Sequence, residues 1–234
     1  MTRPPAGLRR FASPPPSRAG NDQPPAPPTS VEETPVAVPQ PGPERCELCT
    51  AEIPNEHGHL ADLENQTLEC ACRACYLLFT QGNAARGRYR AVPDRYLKDP
   101  AAAITQAEYD DLEIPVGLAF FLTSSRANKT IGFYPSPAGA TECELDLAAW
   151  ERLAAEHPLL GAPAPDVEAA LISRSQDGVE CFLVPIDACY ELIGRMRLQW
   201  RGFDGGAEAR ASIADFLDRV RARATVFAAG QGAS

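Results

Sequence analysis

No uninterrupted run of about 18 or more apolar residues occurs in this 234-residue chain, so no segment reads as a helical membrane span. The opening MTRPPAGLRRFASPPPSRAG also lacks the apolar stretch of a secretory signal, and the protein is expected in the cytoplasm. That opening has no acid before Asp22 and is rich in Arg and Ser, as organelle transit peptides are. Its prolines, however, would break the amphipathic helix such a peptide forms. Residues 1–43 contain no cysteine and one aromatic residue, Phe11, but 13 of the 23 prolines. A stretch so poor in apolar surface cannot offset its ordering entropy, so it is expected to be a disordered tail, as is 227–234.

An excess of positive charge is also lacking. The formal net charge of −9 divides into +1 on residues 1–43, −4 on 44–110 and −6 on 111–234. An acidic body repels phosphate, which speaks against general nucleic-acid binding and against anionic lipid. The local exception is ARGRYRAVPDRYLK, residues 85–98, where Arg86, Arg88, Arg90, Arg95 and Lys98 face only Asp94 and are interleaved with Tyr89 and Tyr96. This composition suits a phosphate or an acidic protein surface, and it also suits a solvated linker.

What the chain has is clustered cysteine. Five of its eight cysteines fall between positions 46 and 75, as Cys46-x-x-Cys49, 22 intervening residues, then Cys72-x-x-Cys75, with Cys70 just ahead of the second pair. Two such pairs supply the four soft thiolates of a closed tetrahedral zinc site. The residues between fit that geometry. HLADL (59–63) and TLECAC (67–72) read as strands joined by Glu64-Asn65-Gln66, and Tyr76 to Phe79 read as a short apolar helix that Gly82 could stop. Cys72 and Cys75 then fall at the helix start. A knuckle, a hairpin and a helix bearing the second ligand pair resemble a treble-clef or zinc-ribbon module.

Cys70 is open to three roles: a ligand replacing Cys72, a bystander, or one half of a redox pair. His57 and His59 are candidates for a second metal, for groups supporting the first, or for plain solvated loop residues. The same four thiolates could hold iron, as in rubredoxin, or an iron–sulfur cluster. Against rubredoxin, the knuckles read CELCT and CRACY and lack the C-P-x-C-G pattern whose small residues let backbone N–H groups approach sulfur.

Beyond a linker over 83–112, strand and helix signals alternate. Strands are expected at 114–124, 129–136, 167–174 and 179–185, and helices at 144–157, from an Asp187 cap to about Trp200, and at 208–224. Together with the 44–82 metal module this gives an α+β chain, whose 113–226 domain is a mostly antiparallel sheet with helices on one face. That domain presents no nucleophile–base pair: Cys143, Cys181 and Cys189 are scattered, and its one histidine, His157, precedes a proline. Trp200 to Gly206, WRGFDGG, reads as a turn that docks its aromatics or as a partner loop.

The segments CELCTAEIP, HGHLADLE, CACRACYLLF, IPVGLAF, GFYPSPAGATECEL, CFLVPIDACYELIGRMR and WRGFDGG together resemble an uncharacterised, mainly actinobacterial family of cysteine-containing proteins encoded beside nickel-iron hydrogenase genes. The resemblance covers nearly everything after residue 43. It implies an accessory role in hydrogenase assembly, maturation or electron supply, with Cys46, Cys49, Cys72 and Cys75 as metal ligands and a hydrogenase or its maturation proteins as partner. Three functions follow: a zinc-stabilised accessory or adaptor protein, an iron-based electron carrier, and an HNH-like metal-dependent nuclease. The last rests on His57 and His59 following the first knuckle. Against it, Tyr76 stands where many such nucleases carry a histidine ligand, and the body is acidic.

Overall fold

The computed structural model describes residues 43–81, 84–101, 103–143, 146–202 and 205–228. The tail expected over 1–43 lies outside the described residues except for Pro43, as do Gly82, Phe203, Asp204 and 229–234. None of the described helices is long and apolar enough to cross a membrane.

After the first cysteine pair the chain folds into a hairpin, β1 (Gly58–Asp62) and β2 (Thr67–Ala71). Asp62 sets the turn: its Oδ1 accepts from the backbone N–H groups of Glu64 and Asn65 at 3.0 and 3.1 Å, the local bonding that makes Asp a turn former. Helix α1 (Arg73–Phe79) follows, with Cys72 as its N-cap. Its Tyr76 ring lies where a Cβ on Gly58 would stand, 2.6 Å away, so only glycine fits at the start of β1.

The segment expected as a linker over 83–112 is built into both sheets and a core. Strand β3 (Tyr89–Ala91) pairs with β1 and completes a three-stranded sheet in the order β2-β1-β3. Next, β4 (Leu97–Lys98) pairs with a strand of the larger sheet, and α2 (Gln106–Asp110) buries Tyr109 completely. Tyr109 donates its hydroxyl to the Val116 carbonyl at 2.5 Å, which satisfies the polar end of a buried ring.

The larger sheet uses β5 (Leu118–Ser124), β6 (Lys129–Ser136), β7 (Gly139–Cys143), β8 (Glu168–Ser175), β9 (Gly178–Pro185) and β10 (Thr225–Val226), in the order β10-β4-β9-β8-β5-β6-β7. Its pairs are antiparallel except β10 with β4. Between these strands run α3 (Leu147–Glu156), α4 (Pro158–Gly161), α5 (Ile186–Gln199) and α6 (Gly206–Arg223).

Helices cover both faces of this sheet, not the single face expected. Leu118, Phe120, Leu171, Phe182 and Val184 pack with α5 and α6, whereas Ala119, Phe121, Ala170 and Ile172 pack with α2, α3 and α4. The physical reason is in the strands: LAFF and EAALIS bury consecutive residues, so both sides need cover. Two further expectations shift. Ile114 to Gly117 precede β5 rather than belong to it, and Ile114 and Val116 pack in the α2–α3 core instead. Asp187 lies in the first turn of α5, whose N-cap is Pro185.

Three of the four arginines of the basic segment, Arg88, Arg90 and Arg95, are engaged within the molecule and not free as a surface patch, whereas Arg86 is exposed. Arg88 pairs with Asp62, whose side chain is 1% exposed, and Arg90 bonds Asp166 at 3.0 Å and the Pro165 carbonyl at 2.7 Å. Arg95 grips the fully buried Glu168 through two bonds of 2.8 and 2.6 Å. The carboxylate also accepts the Ala164 N–H at 2.8 Å. A buried carboxylate stripped of its counter-charge is costly, so Arg95→Ala should destabilise the fold by about 3–5 kcal/mol, read as a lower urea midpoint. Arg95→Met with Glu168→Leu should recover most of the loss. A single variant as stable as the parent would show that the pair holds nothing in place.

Candidate metal centre

Two different local devices bring the cysteines together. The first pair sits on a tight turn: the Thr50 N–H bonds the Cys46 carbonyl at 2.8 Å, and the Cys46 N–H bonds the Ala51 carbonyl at 2.8 Å. No glycine is present, so Thr50 itself adopts φ +63, a left-handed conformation costing roughly 1–2 kcal/mol. Arg45 helps to hold it, donating to the Thr50 carbonyl at 3.0 Å and pairing with Glu52 at 3.1 Å. The second pair uses the start of α1, where Cys72 Sγ accepts the Cys75 N–H at 3.4 Å. Glu47 ties the two devices together: its N–H bonds the Cys70 carbonyl at 2.9 Å and its Oε2 accepts the Cys70 N–H at 2.5 Å.

The sulfurs of Cys46, Cys49, Cys72 and Cys75 consequently all lie within 4.8 Å of one another, and those of Cys49 and Cys72 are 3.7 Å apart. A tetrahedral zinc ion with bonds of about 2.3 Å sets its ligand sulfurs roughly 3.8 Å apart. Cys46 and Cys75 are buried and Cys49 reaches the surface. Burial works against the Cys46 thiolate, but backbone N–H groups of Cys72, Leu48 and Cys49 outweigh it and bring that thiol down to about 6. Burial pushes Cys75 well up, and its neighbouring thiols add to the effect. At Cys49 the Ala51 N–H favours the thiolate, yet the sulfurs of Cys46 and Cys72 leave the net shift upward. One easily ionised thiol beside reluctant partners is what four crowded sulfurs show without a cation, and the cluster could bind a metal.

Cys70 is outside this group. It lies on β2 opposite His59, and burial followed by the carboxylates of Glu47, Glu44 and Glu69 pushes its thiol up to about 11. It gathers instead with His57 and His59, a grouping that the cysteine spacing did not reveal. Tyr76, at the position considered for a nuclease ligand, packs among the apolar residues of the module and points its hydroxyl at the Val92 carbonyl, 3.5 Å away. Elsewhere Cys189 is fully buried on α5, and burial pushes Cys181 up to about 12. His157 bonds Glu108 at 3.0 Å, and Glu108 is also the capping partner of Thr105. Trp200 packs at the edge of the core and donates to the Gly202 carbonyl at 3.0 Å.

An apolar cavity of about 220 Å³ separates the hairpin from β5 and β6, lined in part by Ala61, Leu68, Leu122, Phe133 and Tyr190. Its two carboxylates, Asp62 and Asp166, are the partners of Arg88 and Arg90, so it offers no acid poised for proton transfer.

No curated protein and no solved structure matches the chain. A family model spans residues 45–224, from the residue before Cys46 to just past the end of α6. The protein therefore belongs to the family of unknown function DUF5947.

Proposed function

We propose that Cys46, Cys49, Cys72 and Cys75 hold one zinc ion as a structural staple, and that the protein is an accessory or adaptor protein acting by contact with another protein. The observation that carries this reading is the convergence of four sulfurs from a turn and a helix start, all within 4.8 Å of one another. The knuckle, hairpin and helix resemble a treble-clef or zinc-ribbon module. Four protein thiolates fill a tetrahedral ion's coordination, which suits a structural role more than a catalytic one. The sequence resemblance to hydrogenase-linked proteins names the setting, nickel-iron hydrogenase assembly or maturation, in the cytoplasm. Iron at the same thiolates is the second reading, and the colour of the protein separates the two.

Protein purified without oxygen should be colourless and retain one tightly held zinc ion per chain. The buried set around this centre is small, with Cys46, Ile53, Leu60, Ala71 and Cys75 at its heart. Chelation should therefore remove amide protection from Leu60 to Phe79 while β5 and β8 keep theirs. Protection unchanged after complete zinc removal would end the structural-zinc reading, and the visible bands of thiolate-bound iron would transfer the site to electron transfer.

Single Ser substitutions at Cys46, Cys49, Cys72 or Cys75 should each abolish retention of that ion, because a hydroxyl is a poor zinc ligand. Cys70→Ser should leave it bound. Loss at Cys70 with tolerance at Cys72 would reassign the fourth ligand.

For the adaptor role, α1 turns Leu77 and Leu78 outward, 45% and 62% exposed, on the element that the metal would brace. Two adjacent exposed leucines offer apolar area that a partner could cover. The tagged protein should co-purify with a nickel-iron hydrogenase or its maturation proteins when co-expressed with them, and Leu77→Glu with Leu78→Glu should weaken capture about tenfold or more, since roughly 1.4 kcal/mol is a tenfold change in affinity. No co-purification of the parent protein would set the hydrogenase reading aside.

A further inference from the structure

The hairpin carries a second cluster with a different chemistry. His57 immediately precedes β1 and His59 lies on it two residues later, where Cys70 is its cross-strand partner. Their ligand atoms all lie within 4.8 Å of one another, and the two imidazole centroids are 4.7 Å apart.

Both rings are already aimed by their other nitrogen. His57 Nδ1 is 2.9 Å from the Pro54 carbonyl, with a Glu44 carboxylate oxygen 3.6 Å away, and His59 Nδ1 is 2.9 Å from Asp187 Oδ2. A carbonyl can only accept, so Nδ1 of His57 donates to it, which leaves Nε2 as the nitrogen that a neutral ring offers to a metal. That Nε2 is buried, in a side chain only 7% exposed, and among the described residues it has no hydrogen-bond partner. An unsatisfied buried acceptor costs about 1–3 kcal/mol, which a packing role does not offset. Imidazoles fixed through Nδ1 by a carbonyl and by a carboxylate are the arrangement that orients Nε2 toward a metal.

We propose that His57, His59 and Cys70 form a second metal site, distinct from the four-cysteine cluster, which takes a divalent transition ion of borderline softness such as zinc, cobalt, nickel or copper. Two imidazoles and a thiolate select that class over magnesium, calcium or manganese, which prefer oxygen. Three protein ligands leave a coordination position open, so this ion exchanges, whereas the four-thiolate ion does not. The Glu47 carboxylate at the Cys70 N–H adds negative charge at the edge of the site. Asp187 extends it to α5, so that occupation of the site braces the hairpin against the larger sheet's helical layer. The proposal rests on the histidines and Cys70 alone and does not require the four-cysteine reading to hold.

The test is a cobalt titration of the full chain, zinc-loaded and free of oxygen, followed by absorption and by imidazole nitrogen NMR. The parent protein should take one further, exchangeable equivalent of Co2+, with a thiolate-to-cobalt charge-transfer band and shifts of Nε2 in His57 and His59. Cys70→Ala should abolish the charge-transfer band while the zinc stays bound. Asp187→Asn leaves all three ligands in place but weakens the support of His59, and should lower affinity for the added ion about 10- to 100-fold. Circular dichroism matching the parent keeps both variants interpretable. No additional equivalent in the parent, or a charge-transfer band unchanged in Cys70→Ala, would overturn the second site.

Discussion

Strands β5 and β8 bury consecutive residues, and a sheet whose central strands are apolar on both sides must be covered on both sides. Much of the architecture follows from that demand. Helices α2, α3 and α4 close one face, with Trp150 stacked 4.2 Å from Phe121, and α5 and α6 close the other. The cysteine-bearing hairpin joins the second layer, where Ala61 and Val92 pack into the same core as Phe120 and Leu192. Only the far side of the hairpin shares that core, and the cysteine end, around Cys46, Ile53, Leu60 and Cys75, has a small cluster of its own.

Charge fixes what packing brings close. Apolar contact is non-directional, whereas paired carboxylates and arginines specify a register. Asp62, Asp166 and Glu168 are the most protected acids of these pairs, and each meets an arginine from the segment that connects the two sheets. The Arg88 guanidinium holds the Asp62 carboxyl down to about 2 against the effect of its burial. Three acids of the body and three arginines of the basic stretch thus form one set of internal pairs.

The hairpin presents sulfur on one flank and imidazole beside it, and the two clusters differ in how completely they would surround an ion. Four thiolates leave no position for exchange, while two imidazoles and one thiolate leave one. Both clusters depend on Glu47, which ties the first cysteine turn to Cys70 through a backbone bond and a carboxylate. An ion at either cluster would act on residues within 46–76, and only one at the histidines would reach α5, through His59 and Asp187.

The sequence by itself determined whatever depends on near neighbours. Two C-x-x-C pairs, the ENQ turn and the apolar run after Cys75 located the cysteine cluster, the hairpin and α1 to within a few residues, because turns and caps are made by side chains a few positions apart. The strands at 129–136 and 179–185 were legible for the same reason, through their composition and bounding turns. Tertiary structure decided the rest. Continuous apolar strands do not say from how many sides they are covered, so the second helical layer was not legible. A segment dense in arginine looks like an exposed patch until Asp166 and Glu168, more than 70 residues away, turn toward Arg90 and Arg95. Above all, His59 and Asp187 are 128 positions apart, and only the packing of β1 beside α5 makes them a pair. Spacing along a chain records local geometry, and long-range partners are chosen by which surfaces the fold leaves to be buried together.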